Sequence, residues 1–192
     1  MNLYRQLGYY HQWQNPMYYN RYDNNWCNDW NPHYYNWKNN LGDNENPYNR
    51  GNVFNVLKDF GPQPFVINIE QAAKKNNNFR IALWTGNHLQ VTLMNIGVGE
   101  DIGLEIHPTS DQLLHIEDGQ GLVQMGKNKG IYDFQANVYD DYVIVIPAGT
   151  WHNLTNTGNK PIKLYSIYAP PQHPYGTVHE TKAIAMASEN HY

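Results

Sequence analysis

Between residues 80 and 168 the chain passes through nine short stretches of apolar and polar residues, each closed within a few positions by Gly, Asn, Asp or Pro. The stretches are 80–84, 88–96, 102–107, 112–117, 121–126, 131–139, 142–147, 152–156 and 160–168. Many short strands separated by turn residues restrict the fold to an all-β sandwich or barrel. A further edge strand is expected at 64–69, a brief helix at 70–75 ending in Asn76-Asn-Asn, a loop at 173–180 and a short Ala-rich helix at 182–188 that covers one edge.

Within this frame, Gly103-Leu-Glu-Ile-His107 is answered by Pro147-Ala-Gly-Thr-Trp-His152. Successive side chains of an extended segment alternate faces, so Glu105 and His107 share one side while Leu104 and Ile106 take the other. After a turn at 108–111 the next alternation starts at Gln112, whose amide oxygen is placed to reach the same spot from a neighbouring strand. His152 follows the Pro147 and Gly149 turn and opens a new strand, so the turn aims its side chain. One carboxylate, one amide oxygen and two imidazoles suit a borderline divalent ion such as Mn, Fe, Ni, Cu or Zn. The absence of thiolates and of an oxygen-only set argues against a structural zinc knot or calcium.

These residues resemble the two motifs of the cupin superfamily. Gly99, Glu105, His107, Gln112 and Gly119 or Gly121 lie along the first motif, with Glu105 where a histidine is usual and Gln112 where a glutamate is usual. Pro147, Gly149, His152 and Asn156 match the second, with Asp141 in place of its leading glycine. The resemblance covers about residues 64–187, and its wording is similar to that of single-domain bacterial cupins. It implies a jelly-roll barrel, the double-stranded β-helix, with short flanking helices, a divalent metal (Fe, Mn or Zn) on Glu105, His107, Gln112 and His152, and a homodimer. Cupins of the phosphomannose isomerase type also use glutamine, glutamate and two histidines.

Residues 1–52 differ in composition. Asn, Tyr and Trp recur, and Leu3, Leu7 and Leu41 are the only Leu, Ile or Val residues there. Such a stretch buries too little surface to offset chain entropy and is expected to be a disordered tail. Its interleaved aromatics favour self-assembly, and its composition is similar to that of spore coat proteins. His11 and His33 read as solvated. Cys27 is the sole cysteine, which excludes an intrachain disulfide. The expected organisation is a tail at 1–52, a linker at 53–63 holding a short amphipathic turn or helix that stops at Gly61-Pro62, the cupin domain at 64–187 and an end at 188–192.

A net charge of −4, with scattered Lys and Arg, leaves no basic stripe for nucleic acid. No apolar run is long enough to span a bilayer and no secretory signal opens the chain, which implies a soluble cytoplasmic protein, with deposition on a spore coat as the tail's variant. Among other residues, His115 alternates away from the metal. Lys127 and Lys129 sit in a solvated turn. Tyr132, Tyr139, Tyr142, Tyr165 and Tyr168 read as packing residues, one of which could line the cavity. His173 and His179 lie where a barrel mouth would be, within reach of a ligand.

Two functions fit. One is a metal-dependent enzyme acting on a small molecule: a dioxygenase with iron, or an isomerase as the phosphomannose isomerase resemblance implies. No Arg or Lys cluster for a sugar phosphate and no general base apart from the ligands is evident. The other is a structural coat or scaffold component with a non-catalytic cupin domain and an assembling tail. Fold alone does not choose between them.

Overall fold

The structure, a computed structural model, describes residues 57–189. The expectations for residues 1–52, including His11, Cys27 and His33, and for 53–56 lie outside the described residues. Among the described residues nine strands form two antiparallel sheets. They are β1 (Arg80–Thr85), β2 (Gln90–Ile96), β3 (Asp111–Asp118), β4 (Gly121–Gly126), β5 (Phe134–Val138), β6 (Val143–Ile146), β7 (Trp151–Asn156), β8 (Ile162–Ala169) and β9 (Val178–His179). The six-stranded sheet runs β6-β3-β8-β2-β1-β9 and the three-stranded sheet β5-β4-β7. This is the expected jelly-roll sandwich, flanked by helices α1 (Ile69–Lys75) and α2 (Lys182–Glu189).

Alternation along the strands explains the two cores. Leu114 and Ile116 of β3, Ile162 and Leu164 of β8, Met94 and Ile96 of β2, and Val123 and Leu154 of the small sheet fill the space between the sheets. On the outer face of the large sheet, Ile81, Leu83 and Leu93 pack under Ala72 and Ala73 of α1. Each such fully buried aliphatic side chain contributes about 1.5–3 kcal/mol of transfer free energy. Helix α1 starts where the Asn68 side chain accepts from the Gln71 N–H, and it ends at Asn76, whose N–H reaches the Ala72 and Ala73 carbonyls.

Three expectations are corrected. Residues 64–68 make no strand. Phe65 and Ile67 alternate as a strand would and do pack against the outer core, but the exposed edge beyond β1 is taken by β9, from within the stretch expected to be a loop. Residues 102–107 form only the isolated bridges Asp101–Thr155 and Glu105–His152 around their ends, because Gly103 adopts φ 91° and interrupts the ladder. Of the amphipathic turn or helix expected within 53–63, residues 57–60 carry no regular element and a turn falls at Gly61-Pro62, while 53–56 lie outside the described residues.

The inner face has a polar and an apolar end. Gln90 and Thr92 precede Met94 and Ile96 on β2, Ser166 and Tyr168 follow Ile162 and Leu164 on β8, and Gln112 precedes Leu114 on β3. In register, Gln112 and Gln90 both lie opposite Tyr168, and Thr92 lies opposite Ser166. The antiparallel pairing thus gathers every polar inward residue of these strands at one end of the sandwich.

Candidate metal centre

Glu105 and His152 are bonded backbone to backbone, the Glu105 N–H to the His152 carbonyl at 3.0 Å and the His152 N–H to the Glu105 carbonyl at 2.9 Å. This bridge fixes two side chains from distant parts of the chain on one side of the small sheet. The Pro147 to Thr150 turn does the rest. Gly149 takes φ 74°, which glycine adopts without strain. Its N–H donates to the His107 carbonyl at 2.8 Å, which ties the turn before His152 to the segment carrying His107.

The side chains converge. Glu105 Oε1 lies 3.4 Å from His107 Nε2 and 3.3 Å from His152 Nε2, and the ligand-type atoms of the three residues all lie within 4.8 Å of one another. His152 is fully buried and His107 nearly so. The Nδ1 of His152 faces the Thr150 carbonyl at 2.9 Å, which fixes the ring with Nε2 toward the Glu105 carboxylate. Burial opposes ionisation of Glu105, but His107, His152 and the Arg80 guanidinium outweigh it and hold the carboxyl well below the usual carboxylate range.

Gln112 stands on the inner face beside Tyr168, whose ring meets that of His107 edge-on at 5.4 Å. Its Nε2 donates to Ser166 Oγ at 3.1 Å, and its Oε1 is buried without a hydrogen-bond partner. Glu105 Oε1, His107 Nε2 and His152 Nε2 are likewise buried without hydrogen bonds. Buried polar atoms are nearly always satisfied, so the three orphaned atoms of Glu105, His107 and His152, gathered around one point, fit a cation that accepts lone pairs from them. One carboxylate and two imidazoles suit a divalent metal in charge and ligand type.

Arg80 was not singled out by the sequence reading. It is fully buried on β1, with Nη2 3.5 Å from Glu105 Oε2. A strand's opening arginine reads as a solvated end; only pairing with β2 on one side and β9 on the other encloses it. Above the cluster lies a cavity of about 510 Å³, lined by Glu105, His107, His173, Thr177, His179 and Ser188 among others. His173 and His179 thus do sit at the mouth of the sandwich. Tyr168 is the tyrosine that packs there, edge-on to both His107 and His173. His115 is elsewhere, stacked on Tyr165 and 3.3 Å from Glu117.

Comparison with known proteins agrees with this geometry. The model of the cupin domain family matches residues 92–168. The protein YrkC of Bacillus subtilis strain 168 is 69% identical over 135 residues, 70% of this chain and 73% of that protein. Protein L612 of Acanthamoeba polyphaga mimivirus is 41% identical over 117 residues, 60% of this chain and 71% of that one. The crystal structure of BH2720 from Bacillus halodurans is 71% identical and superposes with a TM-score of 0.67, covering 68% of this chain and 98% of that one. None of these names carries an activity.

Proposed function

The chain belongs to the cupin superfamily, and from that premise we propose that its β-sandwich holds a divalent metal on Glu105, His107, Gln112 and His152 and presents it to a small oxygen-donor molecule. The observation that carries this reading is the set of four buried donor atoms without hydrogen bonds, gathered at the polar end of an otherwise apolar interior beneath a cavity. A cavity of that volume lies in the ordinary range for small-molecule sites.

When bound, a divalent ion supplies Lewis-acid polarisation of a coordinated oxygen; iron would suit a dioxygenase, and zinc or manganese an isomerase. The chain's own residues define the rest. Glu105 brings the one negative charge among the four proposed ligands, with the Arg80 guanidinium 3.5 Å from it. The metal's charge is left for an incoming ligand to balance, which favours an anionic oxygen donor over a neutral one. Burial of His107, Gln112 and His152 keeps water from competing along the flanks.

A second reading rests on residues 1–52, whose Asn, Tyr and Trp content suits assembly into a coat or scaffold. In that case the cupin fold would be retained without need of its ligands. Elemental analysis of tag-free protein, purified without added metal, separates the two when the His107→Ala, His152→Ala double variant is run alongside. The metal reading predicts about one equivalent of iron, manganese or zinc per chain that is lost in the variant. Equal, negligible metal in both proteins across several growth media would sink it and favour the scaffold.

A further inference from the structure

The segment after β8 carries His173 over the centre, and an unusual amount of hydrogen bonding holds it there. Gln90 of β2 is fully buried. Its Oε1 accepts from the backbone N–H groups of Gln172 and His173, at 3.3 and 2.9 Å. Its Nε2 donates to the His173 carbonyl at 2.8 Å and to Thr85 Oγ1 at 2.9 Å. The network continues outward, since Thr85 Oγ1 donates to Asp59 Oδ2 at 2.6 Å and the Gly176 N–H reaches the same oxygen at 3.0 Å. One glutamine therefore grips both the N–H and the C=O of His173, and the aspartate behind it anchors the same loop three residues on.

What this grip fixes is an imidazole whose Nε2 has no hydrogen-bond partner. His173 Nε2 is buried without a hydrogen-bond partner, the ring stands edge-on to Tyr168 at 5.1 Å, and the residue lines the cavity together with Glu105 and His107. His173 is not among the residues whose ligand atoms gather within 4.8 Å of one another. It is placed beside the metal centre, where a neutral imidazole with its hydrogen on Nε2 offers a donor to something held in the cavity.

We propose that the cavity is a subsite for a small oxyanion of carboxylate type, that His173 contacts this ligand through Nε2, and that Gln90 is the residue positioning His173. The proposal rests on the metal-centre reading, which supplies the uncompensated positive charge. A clamp of three hydrogen bonds from one buried side chain to the loop backbone is costly to assemble for a merely structural turn; it orders the loop before the ligand arrives and so reduces the entropy lost on binding.

The test uses the full chain loaded with cobalt(II), with acetate as the probe and acetamide as its neutral isostere, both read by the visible cobalt spectrum. The expected result is that acetate shifts the spectrum of the unaltered protein while acetamide does not. His173→Ala then weakens acetate binding about tenfold with unchanged cobalt affinity. His173→Gln, which keeps an N–H donor and guards against a folding defect, recovers part of the loss. Gln90→Ala weakens acetate binding in the same direction without releasing cobalt, and Gln90→Glu, which keeps the acceptor for both backbone N–H groups, recovers part of it. Equal acetate binding by His173→Ala and the unaltered protein overturns the contact. Loss of cobalt itself from His173→Ala overturns it too, by making His173 a metal ligand, and acetamide binding as well as acetate overturns the ligand class. Failure of the unaltered protein to take up cobalt removes the metal-centre reading and the proposal with it.

Discussion

At the scale of single residues, the centre is built from groups whose burial is tolerable only together. Arg80 has no exposed surface and Glu105 little, and removing either takes a charge of opposite sign from beside the other in a medium that solvates both poorly. His173 behaves differently, because it is neutral and half-buried. Burial, chiefly, and the nearby Arg80 charge push its pKa down from 6.5 to about 3. The unfolded chain therefore binds a proton as pH falls through 6.5 while the folded protein does not, and stability that is fully present above pH 6.5 is lost progressively below it. In metal-free protein, held so by a chelator, denaturant unfolding should lose about 2 kcal/mol between pH 6.5 and 4.5 on this account. His173→Gln should flatten that interval, leaving the loss below pH 4.5 that Glu105 contributes. An unchanged slope in the variant would show that the acid sensitivity lies elsewhere. The residue types that form the centre were legible in the sequence because two motifs place Glu105, His107 and His152 by local spacing and turn chemistry. Arg80 and Gln90 were not, since their roles depend on contacts with Glu105, 25 positions on, and with the backbone at His173, 83 positions on.

Strands and turns show the same division between local and distant causes. The helix at Ile69–Lys75 was readable at 70–75 with its end at Asn76, while its N-cap Asn68 falls within the expected strand, and β4 was readable between its glycine borders. Residues 64–68 carry a strand-like alternation too, yet what makes a strand is a partner for its backbone, and β9 holds that edge. Asp141 stands where the second motif has glycine, and the structure gives the reason that position matters: its φ is 68°, and its N–H donates to the Ile116 carbonyl at 2.8 Å. Aspartate is among the few residues that enter this region at modest cost, so the departure from the motif leaves the turn intact. Asn156 closes the motif as a turn organiser. Its Nδ2 donates to the carbonyls of Ile96 and Lys160, at 3.0 and 2.9 Å, and its Oδ1 accepts from the Gly158 N–H at 2.8 Å. Asn156→Ala should therefore lower stability by about 2–3 kcal/mol in urea unfolding, because buried backbone groups lose their partners. It should leave the metal stoichiometry of the folded fraction intact. A change under 0.5 kcal/mol would mean that water replaces the amide without loss.

For the whole molecule, the sandwich sorts its interior by polarity. Hydrophobic residues hold the sheets together at one end, and at the other the same alternation turns Gln90, Thr92, Gln112, Ser166 and Tyr168 inward, where hydrogen bonds such as those of Gln90 to the loop after β8 and of Gln112 to Ser166 offset the cost of burial. The fold class followed from strand rhythm and motif resemblance, both properties of the chain read locally. The polar end did not, because it exists only once β2, β3 and β8 are set in register. Among the described residues no helix is long and apolar enough to cross a membrane. The most direct test of the metal centre is anomalous diffraction, collected on both sides of the absorption edge of the metal found in protein purified without additions. The account predicts one strong peak bonded to Glu105 Oε1, His107 Nε2, His152 Nε2 and Gln112 Oε1, at about 2.0–2.3 Å from each. Well-ordered density for those four side chains with no peak between them, or a peak bound by other residues, would contradict it.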